Sequence, residues 1–327
     1  MKSDVPQSFP EAFLDRYNAV FGEEVLGRIL SGFRIPRQTW FRINTLKSDI
    51  ASVFRDLKRL EIVYSQSSEF EDAGWVEPEE RDRLLGSELF ANGHIYVQGM
   101  ASQLPVRLLD IEPEHTVLDL AAAPGSKTLQ IASLTDVTAE VAAVEIVRKR
   151  MFKLQDNLAR NGAEHVRVFL QDGTKVWRYR PEHFDRVLLD APCSSEGRFR
   201  LNNDESFRYW SPSKIKEMVR KQRRLLFSAI HSLKPGGKLV YSTCSLSPEE
   251  NEMAVQHVLD TFGEVVDIEP IAFQADERIG TIAEWRRKAL DDRIRGACRL
   301  MPSKRMEGFF VCRFVKTSSS NPPLKFK

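Results

Sequence analysis

The sequence lacks most of the features that would assign it to a class at a glance. Its 327 residues hold four cysteines, Cys193, Cys244, Cys298 and Cys312, and no C-x-x-C pair. That argues against a disulfide scaffold and gives no zinc signature, so no metal site is expected. No apolar run approaches the roughly 20 residues of a membrane span. The opening MKSDVPQSFPEAFLDRY puts acids and prolines where a signal peptide needs an apolar stretch. The expectation is a cytoplasmic protein, away from membranes and acting as a monomer, whose cysteines stay thiols. Net charge is only +2, so overall charge does not mark a nucleic-acid binder, and any polyanion site must come from local clustering.

What is present falls into two parts. Residues 9–33 place apolar residues at mixed three and four spacing, interrupted by Gly22, which reads as one or two amphipathic helices. Phe41–Lys47 alternates like a short strand. A helix over 49–60 and a strand at 62–64 are expected next, then an acid-rich surface loop over 69–82. Together these predict a small N-terminal α+β domain over residues 1–100.

From His115 the chain settles into strand, turn, helix, repeated. TVLDLAAA, EVAAVEI, VRVFLQD, FDRVLLDAP and KLVYSTCS are five apolar runs separated by helical segments. EVVDIEP and GFFVCRFVK close the series. Ser247 and Glu250, with Pro248 between them, predict a capping box at the start of the last helix. This βα alternation predicts a doubly wound, mostly parallel α/β sheet covered on both faces. It spans residues 101–316, followed by a flexible tail over 317–327.

In such a sheet, ligands bind outside the carboxyl ends of the strands. The unusual residues of this sequence stand at those ends. The turn after the first strand, Ala123-Pro124-Gly125-Ser126-Lys127, lacks both G-x-G-x-x-G and G-x-x-x-x-G-K-[ST], which disfavours a diphosphate ligand. Taken alone, it serves equally well as a plain strand-to-helix turn. Glu145 ends the second strand, where an acid commonly holds ribose hydroxyls, and Asp172 ends the third. Each is weak alone, since acids at strand ends are often caps or solvated. Together, without a diphosphate signature, they favour S-adenosyl-L-methionine over a nicotinamide dinucleotide.

A single cysteine after a buried strand is usually inert packing. Here Cys193 follows strand four and Cys244 ends strand five, and these two strands are neighbours in the expected order. Adjacent strands lie about 4.8 Å apart, so both thiols are expected to face one cleft beside Asp190. Thiols, a carboxylate and a methyl donor suit attack on a pyrimidine. A thiolate adding to carbon 6 of cytosine makes carbon 5 nucleophilic, which splits one hard step into two easier ones. A protonated Asp190 donating to ring nitrogen 3 is expected to assist, and nearby basic groups to lower the thiol pKa.

At these residues the sequence resembles the Sun (Fmu) family of RNA cytosine-C5 methyltransferases, which includes the NOL/NOP/Sun enzymes. FRINTLK is similar to its R-x-N-T motif, GHIYVQGMASQLPV to its Q-x-x-x-S segment and LDLAAAPGSKT to its cofactor loop. LDAPCSSEGRF and VYSTCSLSPEENE resemble its two cysteine motifs, and EGFFVCRF its closing strand. The resemblance implies a Rossmann-like class I methyltransferase sheet and the cofactor S-adenosyl-L-methionine. It implies Cys244 as nucleophile and Cys193 as the thiol that assists product release, with Asp190 beside them. The cofactor set it implies is Ala121, Ala122, Ala123, Pro124, Gly125, Ser126 and Lys127, with Glu145, Arg150, Asp172 and Asp190. The sequence departs from the family at Ala121, where cysteine is common, and at Ser126 and Ser195, where glycine is common.

The partner implied is RNA, ribosomal favoured over transfer RNA. Between Arg198 and Arg224 nine basic residues stand against three acidic, interleaved with Phe199, Phe207, Tyr209 and Trp210; from Glu284 to Arg305 the balance is eight against three. Such stretches suit phosphate contacts and base stacking, although solvated helix faces look the same. Two rival readings exist: a DNA cytosine methyltransferase, in which the proline-cysteine motif carries the nucleophile, and a non-catalytic RNA-binding assembly factor. The S-T-C motif on strand five argues against the first, and the intact cysteines, acids and loop against the second.

Overall fold

The computed structural model describes residues 9–320. Gly22 sets the course of the first element. Helix α1 (Glu11–Arg34) loses helical geometry at Gly22 (φ 77°, ψ 167°), so two helical halves meet at a kink. Their apolar face, with Phe13, Tyr17, Leu26, Ile29 and Phe33, packs on Phe199, Phe207, Leu246 and Met301 from the later part of the chain. Each fully buried phenylalanine there contributes on the order of 2 kcal/mol.

A separate small core follows. Strand β1 (Thr39–Ile43) leads to helix α2 (Ile50–Arg59), capped by Asp49, whose carboxylate accepts the Ser52 N–H at 2.8 Å. Strands β2 (Ser65–Gln66) and β3 (Ala73–Val76), short helices α3 (Arg81–Leu85) and α4 (Glu88–Ala91), and strand β4 (Ile95–Val97) complete a four-stranded sheet in the order β2-β3-β1-β4. The acid-rich segment read as a surface loop therefore holds β3, whose Ala73 and Val76 are buried. Charges on either side obscured its brief apolar alternation. The strand expected at 62–64 lies at Ser65–Gln66 instead.

Helix α5 (Met100–Arg107) leads into the large sheet. Its strands are β5 (Val117–Asp119), β6 (Val141–Glu145), β7 (Arg167–Leu170), β8 (Phe184–Asp190) and β9 (Leu233–Thr243). Between them run α6 (Ser126–Ala132), α7 (Arg148–Arg160) and α8 (Pro212–Ser232). After α9 (Glu252–Phe262) come β10 (Val266–Ile268), β11 (Arg278–Ile279), the hairpin β12 (Glu284–Trp285) and β13 (Lys288–Ala289), then β14 (Cys298–Leu300) and β15 (Phe309–Lys316). The order is β11-β14-β15-β9-β8-β5-β6-β7, with β10 on β15. The pairs from β7 to β9 are parallel and those beyond β9 antiparallel. The α/β doubly wound expectation holds, and β11 and β14 add to it an antiparallel edge that the sequence reading did not include.

Two local expectations fail. Helix α9 begins only at Glu252, without a side-chain cap, so Ser247 and Glu250 form no capping box; Glu250 turns inward instead. Thr317–Ser320, read as the start of a flexible tail, are held: Ser320 is buried and bonds Lys316 Nζ and His231 Nδ1, each at 2.8 Å. The rest of the expected tail, 321–327, lies outside the described residues. Among the described residues no helix is long and apolar enough to cross a membrane.

Candidate active site

Parallel pairing sets Asp190 of β8 opposite Ser242 of β9, and each chain carries a thiol just beyond. Cys193 Sγ and Cys244 Sγ lie 3.3 Å apart, both half-buried. One proton between two sulfurs favours one thiolate. Cys244 is the one lowered: the hydrogen bond from Cys193 leads, burial opposes it, and the positive charge of Arg198 adds to it. The same bond, and burial, push Cys193 well up.

Asp190 is engaged at both oxygens. Its Oδ2 accepts from Lys127 Nζ at 2.7 Å and its Oδ1 from Ser242 Oγ at 2.7 Å. About a third of the Asp190 side chain stays exposed beside these two bonds, and the Lys127 ammonium also reaches Ser102 Oγ at 2.7 Å. Burial works to lower Lys127, but Asp190 outweighs it and raises it.

Two buried carboxylates fasten the thiol-bearing loops. Glu250 accepts the Ser194 N–H (3.0 Å), the Ser194 hydroxyl and Gln222 Nε2 (3.1 Å). Glu196 accepts Trp210 Nε1 (2.7 Å), Ser245 Oγ (3.0 Å) and the Leu246 N–H (3.1 Å). Burial, reinforced by the charge of Glu196, pushes Glu250 up to about 7. Gly197 donates to Cys244 O at 2.8 Å and accepts from Gly308 N at 2.9 Å. A Cβ on Gly197 would stand 2.0 Å from Gly308 O, so only glycine fits.

The residues read as cofactor-binding gather at the ends of β5, β6 and β7. Gly125 takes a left-handed φ of 109°, and a Cβ there would meet Leu154 Cδ1 at 2.8 Å. Ala121 and Ser126 are partly exposed and Pro124 is exposed, while Ala122 and Ala123 are buried, with the Ala122 N–H already committed to Val144 O at 2.9 Å. Arg150 pairs with Glu145 (3.3 Å) and donates to Ala123 O (2.7 Å), tying the turn to β6. Glu145 Oε1 accepts the Val147 N–H at 2.8 Å. Asp172 Oδ1 caps the following turn through Thr174, N–H at 3.0 Å and Oγ1 at 2.7 Å. Lys127 turns to Asp190, at the end of β8, and to Ser102.

A model of the 16S rRNA methyltransferase RsmB/F family matches residues 106–315. The chain belongs to this family. It is 33% identical over 319 residues to ribosomal RNA small subunit methyltransferase F of Vibrio parahaemolyticus, covering 96% of this chain and 64% of that protein. The enzyme of the same name from Serratia proteamaculans is 36% identical over 324 residues, with the same coverage. The chain thus spans about two thirds of the length of these relatives. A solved methyltransferase homologue from Pyrococcus horikoshii superposes with TM-score 0.80 at 31% identity, covering 94% of this chain and 95% of that one. NSun6 of the same organism, solved with SFG, shares the fold at TM-score 0.82 and 23% identity, covering 95% and 99%.

In this RsmB/F chain the R-x-N-T and Q-x-x-x-S segments are braces more than contacts. Arg42 is buried and donates to Gln98 Oε1 (3.4 Å) and Ser133 Oγ (3.4 Å); Asn44 donates to Gly93 O (2.8 Å) and Asn161 O (2.9 Å). They lock the small sheet to α6 and α7. Ser242 and Glu196 were given no role in the sequence reading; Ser102 entered only as the serine of the Q-x-x-x-S segment, Arg198 only as part of a basic stretch and Glu250 only as a helix cap. Glu196 and Glu250 lie inside the quoted cysteine motifs, and an acid two or more residues from each thiol was the signal available. The basic segment 284–305 is largely spoken for: Arg293, Arg295, Arg299 and Arg305 each pair with an acid. Of the four aromatics read as stacking platforms, Phe199 and Phe207 are core, Trp210 bonds Glu196, and Tyr209 is exposed.

Proposed function

We propose that this protein transfers a methyl group from S-adenosyl-L-methionine to carbon 5 of a cytosine in RNA, through a covalent bond between Cys244 and carbon 6. Small-subunit ribosomal RNA is favoured over transfer RNA, as the names of its relatives indicate. The observation that carries the reading is the pair of sulfurs at 3.3 Å, with Cys244 lowered and Cys193 raised.

The cofactor fits the chemistry of the donor set: Glu145 and Asp172 stand as acceptors for ribose hydroxyls at the ends of neighbouring strands, and Gly125 lets the turn beside them pack on Leu154 of α7 where no Cβ has room. Ala121 to Ser126, Glu145 and Asp172 would hold it, with Arg150 positioning the turn. When bound, it supplies the electrophilic methyl that carbon 5 takes up. Cys244 Sγ, as thiolate, adds to carbon 6, and the ring's electrons move toward carbon 5 and nitrogen 3. Lys127, oriented by Asp190 and Ser102, supplies positive charge and a proton where that negative charge develops. Cys193, a thiol at the outset, passes its proton to the Lys127 amine left neutral by that transfer, and as thiolate takes the proton leaving carbon 5. Cys244 is then expelled as thiolate, the 5,6 double bond is restored and the nitrogen-3 proton leaves to solvent. The base must leave its stack to reach the sulfurs. Residues 1–100 serve as an RNA-binding region, on a protein that works as a monomer in the cytoplasm.

The test compares two variants on protein-free 16S rRNA with the cofactor present. Cys193→Ala should accumulate a protein–RNA adduct that survives denaturing electrophoresis, and Cys244→Ala should form none. An adduct formed by Cys244→Ala and lost in Cys193→Ala would make the proline-cysteine motif the nucleophile and overturn the assignment. Bisulfite sequencing of RNA from cells with and without the gene locates the cytosine.

A further inference from the structure

We propose that Arg37, Arg198 and Arg200 form a binding site for an RNA phosphate beside the nucleotide that reaches Cys244. The proposal rests on the RNA-methylation reading and adds where the strand is gripped. Arg37 comes from the loop between α1 and β1; Arg198 and Arg200 follow Cys193 in the turn after β8. Two separate segments thus deliver three guanidinium groups to one place.

No carboxylate among the described residues neutralises them directly, although Arg198 also bears on the Cys244 thiol. Among the described residues none of the three takes part in an ion pair, unlike Arg293, Arg295, Arg299 and Arg305 in the second basic stretch. Arg37 Nη2 donates to Gly197 O at 3.1 Å and Arg200 Nη1 to Ile35 O at 3.3 Å, both neutral carbonyls. Arg37 Nε is buried with no hydrogen-bond partner. Glu307 acts on all three through space, but its carboxylate lies against Gly99 at the start of α5. Burial and then the like charge of Arg200 lower Arg37 to about 10. The buried Arg37 thus bears the like charges of Arg200 and Arg198, and a bound anion relieves it.

The position fits an RNA phosphate better than a free anion. Arg37 donates to the oxygen of Gly197, whose N–H holds Cys244 O. The exposed Arg198 lies close enough to both sulfurs to act on their charge. Guanidinium forks match phosphate oxygens in pairs, and phosphate contacts fix register without reading sequence. Held there, the strand presents its cytidine to the sulfurs.

The test uses Arg37→Gln, Arg198→Gln and Arg200→Gln, with protein-free 16S rRNA as the probe, its affinity measured across a potassium chloride series. Each lost phosphate contact should flatten the slope of log affinity against log salt by about 0.7, the single-strand value, and weaken low-salt binding several-fold. Affinity for S-adenosyl-L-methionine, measured by calorimetry, should not change. Wild-type slopes in all three variants would overturn the site, as would a wild-type protein that does not bind this RNA. If Arg37→Gln or Arg200→Gln fails to fold, Arg198→Gln decides, because that exposed side chain makes no described hydrogen bond. A methyl found on an atom other than carbon 5 sinks the proposed reaction while leaving the slope result intact.

Discussion

The two halves of the large sheet treat the same kinds of residue in opposite ways. At the carboxyl ends of the parallel strands, Cys193 and Cys244 are half-buried, lie 3.3 Å apart and follow β8 and β9, where Asp190 at the end of β8 pairs with the Lys127 ammonium. In the antiparallel half, Cys298 and Cys312 are fully buried, and burial raises both, Cys298 to about 11. Arg299 and Glu252 pair there with almost no exposure, and Arg299 also donates to Leu246 O at 2.8 Å. Lys316 donates to Glu182 and to the carbonyls of Ile230 and Leu233. Polar groups in the antiparallel half have their partners within the chain. At the parallel ends the thiols, Asp190 and Asp172 also have partners within the chain but keep part of their surface exposed, and that marks a site more reliably than residue type does.

The sharpest way to break this contrast is to exchange the thiols for alanine one at a time. If the proposed role holds, Cys244→Ala should lower methyl transfer by a factor on the order of 10³ or more, whereas Cys298→Ala should leave the rate of the folded protein unchanged. Tritium transfer from labelled cofactor to RNA reads both, and equal losses would erase the distinction.

Glu252→Ala attacks the closed half. It strands a buried guanidinium, which should cost about 3–5 kcal/mol of stability, read as a fall in the denaturant midpoint. A fall no larger than that of a surface variant would mean the pair is not as closed as it looks.

Glu145→Ala probes the open half. Losing a hydrogen bond between a charged acceptor and a ribose hydroxyl should weaken cofactor binding roughly ten- to hundredfold. Unchanged calorimetric affinity would remove Glu145 from the cofactor set.

The smallest effect is expected of Glu250→Gln, at the seam between the halves. Glu250 is raised to about 7 in the fold from an ordinary 4.5. A raised carboxyl gives stability that is complete below about 4.5 and fades as pH climbs through about 7. The glutamine variant should therefore gain in melting temperature relative to wild type between those values and hold the gain above them. A difference independent of pH would show that this carboxyl does not titrate there.

Sequence reading reached the parallel half well because periodicity and strand-end residues are local signals. The five strands, α8 and the convergence of Cys193, Cys244 and Asp190 all follow from such patterns. It failed where tertiary context overrides local chemistry. Ser247 and Glu250 have the spacing of a capping box, yet Glu250 is drawn to the Ser194 amide and hydroxyl of a distant loop. Phe199 and Phe207 sit among arginines in sequence but are taken up by the aromatic core of α1. The short strands β11 and β14 carry too few residues to show alternation, and their pairing depends on β15.

The contact between Gly197 and Gly308 leaves no side chain to act as a cushion. Two bare main chains abut, so the segment with Cys193 can neither slide along the last strand nor swing away from it. The protein presents its reagents as a fixed anvil. Whatever bending or twisting the encounter demands must then be carried by the partner that enters the cleft.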